Sequence, residues 1–183
     1  MTRPRAGKLA IVRIDEVNAV WEATDPVSRE ELRLGWENTG WTADGTITGP
    51  GIQYVLRLDP AWTYRQFLLF RDAPAPDLWL ARDGSAWGEV NGVYRRDLAG
   101  CAAIVLREAP FTFGAVARRL ELAGSGQQHV LVGVVNVETL AIEPTVCDVR
   151  RVGPTMWRID GTTVELDENG LVGDWSPQFR RVS

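Results

Sequence analysis

Short runs rich in Val, Leu, Ile, Trp and Tyr, separated by Asp-Gly or Asn-Gly pairs at 44–45, 83–84, 160–161 and 169–170, set the strongest limit on this chain. Both residues of such a pair tolerate a positive φ, which suits the tight turn of a hairpin. Between the pairs, Ile52, Tyr54, Leu56 and Leu58 alternate with Gln53, Arg57 and Asp59, and Val164 and Leu166 alternate with Glu165 and Asp167. A period of two puts one apolar face on each segment, so these are half-buried antiparallel strands. Phe67–Phe70 and Val130–Val135 are instead apolar at consecutive positions, which suits strands covered on both faces.

Helical signals are sparse. Ser28 with Glu31 three residues later offers a helix start, but Leu32, Leu34 and Trp36 alternate, and strand is the reading for 30–38. Val116–Leu122 has room for a turn or two of helix. Pro50, Pro60, Pro74, Pro76 and Pro110 fall between strand-like runs, where a missing N–H does no damage. The reading is mainly β: one domain over residues 1–183, a strongly curved antiparallel sheet of β-roll or open-barrel type with little helix. At 183 residues and 45% hydrophobic composition, the chain can fill one core.

The functional classes thin out quickly. A net charge of -4 gives no general attraction for a phosphate backbone, so no nucleic-acid partner is expected. The basic start Met1–Lys8 is followed by an apolar stretch, Leu9–Val12, that Arg13 and Asp15 cut short, which is too brief for a secretory leader. No run approaches the ~20 apolar residues of a membrane span. A cytoplasmic protein is expected, with Cys101 and Cys147 as small buried thiols.

Catalysis by the common acid-base and nucleophilic routes draws on histidine or a tuned carboxylate, and His129, the only histidine, sits at the entrance of the 130–137 strand. A solvent-exposed loop-edge residue is the plainer reading for it. One histidine and two distant cysteines fall short of a zinc set, and Asp167–Gly170 resembles a calcium loop in composition only. Gly49-Pro50-Gly51 and Gly124-Ser125-Gly126 lack the spacing of a phosphate cradle. No cofactor, no metal and no catalytic residue are expected.

Tryptophan is the compositional oddity, at eight residues. An indole joins a large apolar body to one donor, which suits a core, a sugar-stacking platform or the wall of a lipid pocket. The ligand-lining candidates are Trp36, Tyr54, Trp79 and Trp87, with Arg57 and Arg119 as head-group contacts. A one-residue error of register would exchange lining residues for solvent-facing ones.

Four stretches carry a resemblance. They are Asp59-Pro60-Ala61-Trp62-Thr63-Tyr64-Arg65; Leu78-Trp79-Leu80 with Asp83-Gly84 and Trp87; Gly100-Cys101 with Pro110-Phe111-Thr112 and Arg118-Arg119-Leu120; and Asp167–Val172 leading to Phe179-Arg180-Arg181. Together, over roughly residues 20–182, the chain resembles the bacterial putative glycolipid-binding family. Ala102–Val105 stands where that family has an acidic strand, and Phe113 where it has Asn. The resemblance implies a curved antiparallel sheet similar to lipoprotein carriers and mycobacterial lipid-binding lipoproteins. It also implies a non-catalytic protein holding a lipid or glycolipid in an apolar cavity. The alternatives are a protein-interaction module with a closed core and, less favoured, a hydrolase or isomerase on a lipid-like substrate with His129 or a buried carboxylate as base.

Overall fold

The structure is a computed structural model that describes residues 16–72 and 74–183. The N-terminal stretch read for a leader lies outside the described residues. Of the described residues, 53% are strand and 10% helix, so they are mainly β, as the alternation requires.

Seven strands follow one another as an antiparallel meander: β1 (Val17–Thr24), β2 (Val27–Glu37), β3 (Gly40–Ile47), β4 (Ile52–Leu58), β5 (Tyr64–Phe70), β6 (Leu78–Asp83) and β7 (Ala86–Glu89). The expected strand at 30–38 is thus the body of β2. Next come a 3-10 turn (Arg96–Leu98), β8 (Ala103–Leu106) and a helix, α1 (Pro110–Leu122). They are followed by β9 (Gln127–Val135), β10 (Ile142–Arg151), β11 (Met156–Ile159), β12 (Thr162–Glu165) and β13 (Phe179–Arg181). β13 returns to pair with β1 and makes the first sheet eight-stranded, in the order β13-β1-β2-β3-β4-β5-β6-β7. The second sheet, a strongly curled half-barrel, runs β12-β11-β10-β9-β8. One contiguous buried cluster draws on both sheets and on α1.

Alternation decides which residues enter this core. On β2, Ser28, Glu30, Leu32 and Leu34 are buried while Arg29, Glu31 and Arg33 face outward. On β4, the same holds for Ile52, Tyr54, Leu56 and Leu58 against Gln53, Val55 and Arg57. β9 is apolar on both sides because both sides are covered, from Val130 to Val135. β5 differs from the expectation. Phe67 and Leu69 are sealed in the core, whereas Leu68 and Phe70 are only half-buried and lie outside the core cluster.

Three other expectations are corrected. Asp44-Gly45 is no turn but part of β3, where Gly45 stands beside Tyr54 of β4. A β-carbon at Gly45 would overlap the Tyr54 ring, so the glycine is there to let that ring lie across β3. The tight turn of this region is Asn38-Thr39, with φ of 47° and 69° between the paired Glu37 and Gly40. Second, α1 is a 13-residue helix that begins at Pro110 rather than near Val116. Pro110 is its first helical residue, where a fixed φ helps and no N–H is needed. Third, the sheets are not wholly antiparallel: β8 and β9 pair in parallel, because a helical crossover joins them. Asp160-Gly161 does turn β11 into β12, whereas at Asp83-Gly84 the turn from β6 into β7 is Gly84-Ser85, Asp83 being still paired with Ala86.

Cys101 and Cys147 are free and buried. No helix among the described residues is long and apolar enough to cross a membrane.

Candidate functional site

At the end of the fold where β2 turns into β3, four aromatic rings form a path from the surface to the helix start. Trp36 meets Trp41 edge-on with ring centres 5.1 Å apart, Trp41 lies 5.9 Å from Trp62, and Trp62 lies 6.2 Å from Phe111. Trp36 is 45% exposed and Trp62 only 2%. The path therefore runs from water into the core.

The turn after β4 aims Trp62. The Asp59 carboxylate accepts from the N–H groups of Ala61 and Thr63, both at 2.9 Å, and the Trp62 N–H donates to the Asp59 carbonyl at 2.9 Å. That knot holds Trp62 at φ 60°, a left-handed conformation that a bulky residue adopts only when its surroundings enforce it. Those bonds, with the Arg65 pairing at 2.8 Å, also hold the Asp59 carboxyl below its ordinary range, against the opposing effect of partial burial. The Arg118 guanidinium sits over the Trp62 ring, 5.9 Å from its centre, and is paired with Glu121. The Asp167–Gly170 turn closes the end, with Gly170 against the Arg118 side chain.

Two openings share the Trp41 wall. A surface groove of about 310 Å³ runs along Trp41, Thr42, Arg57, Pro60 and Arg65. A separate recess of about 30 Å³, sharing only Trp41 with the groove, lies between Val17, Leu34, Trp41, Trp62, Arg118 and Asn169. A register shift between Arg57 and Leu58 helps form the groove, since Arg57 pairs with Gln66 and Leu58 with Tyr64.

The expected lining residues disperse over this framework. Trp36 and Arg57 come to the aromatic end. Tyr54 and Trp87 are each 1% exposed in the core, Tyr54 donating to Glu30 and the Trp87 indole donating to the Cys101 carbonyl at 2.9 Å. Trp79 is on the opposite face of the sheet, exposed. Arg119 is half-buried on α1. Its charge bears on Arg82, whose pKa is lowered first by desolvation and next by Arg119.

Deeper in lies a polar cluster that the sequence reading passed over. Glu30, 0% exposed, accepts from the Tyr54 hydroxyl at 2.5 Å and from the Phe111 N–H at 3.4 Å, the first free donor after Pro110. Burial pushes its pKa up to about 8, against the lowering effect of those two hydrogen bonds. Tyr64 donates to the Thr112 carbonyl, and the Thr112 hydroxyl takes up the Leu106 N–H at 3.0 Å. The signal for Glu30 was present, since it shares parity with Leu32 and Leu34 on β2. His129 is exposed on β9, its Nδ1 3.5 Å from Asp148.

Three of the four stretches that carried the resemblance thus meet around one side chain, while the Leu78–Trp87 stretch lies apart on β6 and β7. Asp59 and its turn hold Trp62, Phe111 touches it, Arg118 covers it, and Asn169 lines the recess beside it. The model of the family described as "Putative glycolipid-binding" matches residues 18–181. The chain belongs to the putative glycolipid-binding family. A crystal structure of a DUF1089 family protein from Pseudomonas aeruginosa is similar over 100% of both chains, at 19% identity and a TM-score of 0.65, a likeness of fold. No curated protein matches the chain. Against the pattern expected of the putative glycolipid-binding family, β8 is apolar here because all four of its residues are buried, and Phe113 packs on Trp175 with ring centres 5.6 Å apart.

Proposed function

We propose that this protein, a single domain of cytoplasmic location, binds a glycolipid-like amphiphile without transforming it, at the Trp36–Trp41–Trp62 end. The convergence of three of the four family stretches on Trp62 carries this reading. An exposed indole next to a half-buried one offers a stacking platform for a sugar ring, and the groove beside it holds Arg57, a cation with no ion-pair partner among the described residues. The apolar chain follows Trp41 and Trp62 inward, with Arg118 and the 167–170 turn moving aside to admit it. Glu30 has no access to solvent and serves the fold rather than a substrate.

The test is titration with a long-chain alkyl glycoside below its micelle concentration, followed by calorimetry and indole fluorescence, with the free sugar and a fatty acid as comparisons. Saturable binding of the glycoside is expected, weakened about tenfold by Trp41→Ala, since losing one stacked, partly buried indole costs ~1.4 kcal/mol or more. No saturable binding, together with no lipid in native mass spectra of protein purified from cells, would sink the reading.

A second reading is a protein-interaction module with a closed interior. It is favoured by the dense packing of Tyr54 and Trp87, which fill the core rather than line a void. Absence of any amphiphile binding by a folded protein that still self-associates or captures a partner would select it.

A further inference from the structure

The two halves of the eight-stranded sheet's outer face part company at β4. On the outer face of β1–β3, charges are paired in a chain: Arg29 with Glu22 and Glu31 at 2.8 Å, and Arg33 with Asp44 at 2.9 Å. On the same face of β4–β7 the register sets Val55, Leu68 and Trp79 side by side, and the Val90 N–H donates to the Trp79 carbonyl at 3.3 Å. Phe70 lies one row away beside Gln53, and Tyr94 bridges Gly88 on the other side. Trp79, Val90 and Tyr94 are all exposed, the last to 63%. This explains the run Phe67–Phe70: its inner half is sealed in the core, and its outer half is an apolar surface. An apolar row depleted in charge, with Trp79 in it, Phe70 and Tyr94 nearby and arginine at the margin, has the make-up of an interface centre rather than of a solvated face.

We propose that this face binds a second copy of the chain, face to face, around a two-fold axis running along β5. The arrangement is self-complementary, as such an axis requires. Leu68 meets Leu68 of the partner subunit, and Val55 meets the partner's Trp79. Arg57, in the next row, comes opposite the partner's Ala81 and beside the partner's Asp83. Arg57 and Asp83 both lack an ion-pair partner among the described residues, so the pairing supplies each with its complement. The axis lays β4, β5 and β6 on the partner's β6, β5 and β4, three strands ~4.8 Å apart, with the apolar row flanked by Gln53 on one side and by Gln66 and Arg57 on the other. The paired charges of β2 and β3 supply the polar rim. An anionic membrane would ask for several cations where Arg57 stands alone, and the chain's net charge is -4. Because Arg57 also borders the ligand groove, the second subunit brings Asp83 to the edge of that groove.

Sedimentation of the 183-residue chain tests this directly. The wild-type protein is expected to sediment at twice its 20.3 kDa chain mass at micromolar concentration. Leu68→Glu is expected to give a folded monomer with the wild-type circular-dichroism spectrum, and with a melting temperature lowered by no more than the loss of the dimer accounts for. Asp83→Arg, a change at a residue exposed in the single chain, is expected to weaken the dimer roughly fivefold or more, since the two-fold repeats the lost pair. Arg57→Asp combined with Asp83→Arg is expected to restore it. A wild-type monomer up to about 100 µM overturns the proposal, as does a dimer indifferent to both Leu68→Glu and Asp83→Arg, or a monomer that co-sediments with uncharged vesicles. Glycoside titration of the Leu68→Glu protein keeps the ligand reading separate, since binding there without dimers shows that one holds and the other fails.

Discussion

Glu30 and Tyr54 share a hydrogen bond of 2.5 Å across three strands, with the intervening residue of β3 reduced to glycine so that the ring can pass. The pair ties β2 and β4 to the first turn of α1 through the Phe111 N–H. Burial keeps a proton on Glu30 up to about pH 8, where an ordinary glutamate gives it up near 4.5. Between those two values the folded protein holds one more proton than the unfolded chain. The share of stability that depends on Glu30 is therefore full below pH 4.5 and lost as pH rises through about 8, by a few kcal/mol at ~1.4 per pH unit. Urea melts from pH 5 to 8 are expected to show this fall, and Glu30→Gln is expected to flatten it. The variant should match wild type at pH 5 and exceed it at pH 8.

Gly45→Ala is expected to destabilise by about 2–3 kcal/mol, because the added carbon displaces the Tyr54 ring from a filled core. Denaturant midpoints measure the loss. Combining it with Tyr54→Ala should cost less than the two single changes added together, since the clash then disappears.

Thr112→Val should cost about 2 kcal/mol, because it strands the buried Leu106 N–H that the Thr112 hydroxyl accepts from. Thr112→Ser keeps the hydroxyl and should stay close to wild type. Thermal melts of the three proteins side by side decide the matter.

Neither thiol should react with a disulfide reagent at pH 8 while the protein is folded. Cys101 and Cys147 are buried, and desolvation raises both thiols above their ordinary range, with Asp97 adding to it at Cys101 and Asp160 at Cys147. Unfolding in guanidinium should release two titratable groups. Modification of one under native conditions would show an opening of the core that the packing does not contain.

Most strands could be read from parity because each has one wet face, and the 28–34 and 52–58 alternations reappear residue for residue in the burial of β2 and β4. The helix was harder to read. Pro110-Phe111-Thr112-Phe113 has no polar face, since α1 lies buried along most of its length and its amphipathic period is faint. Asp44-Gly45 misled for a related reason: glycine marks a turn or a close approach equally well, and only the Tyr54 ring on the neighbouring strand tells them apart. Among the ligand candidates, composition pointed to tryptophan but not to which ones meet. Trp36 has the inward parity of Leu32 and Leu34 yet is exposed, because β2 runs past the end of the core. Trp41 and Trp62 converge through a turn that no periodicity describes.

The pairing of β13 with β1 has a consequence for synthesis. Strands β1 to β7 can zip up in the order in which they emerge, each against the one just made. The free edge of β1 cannot be covered until Arg181, which lies opposite Trp21, has been made, and the Trp21 indole finds its acceptors only at Val172 and Gly173. At ~5–20 residues per second the ribosome leaves that edge open for several seconds, at the stage when an unpaired strand most readily finds the wrong neighbour. A nascent chain stalled before residue 172 carries a first sheet whose β1 edge is still open.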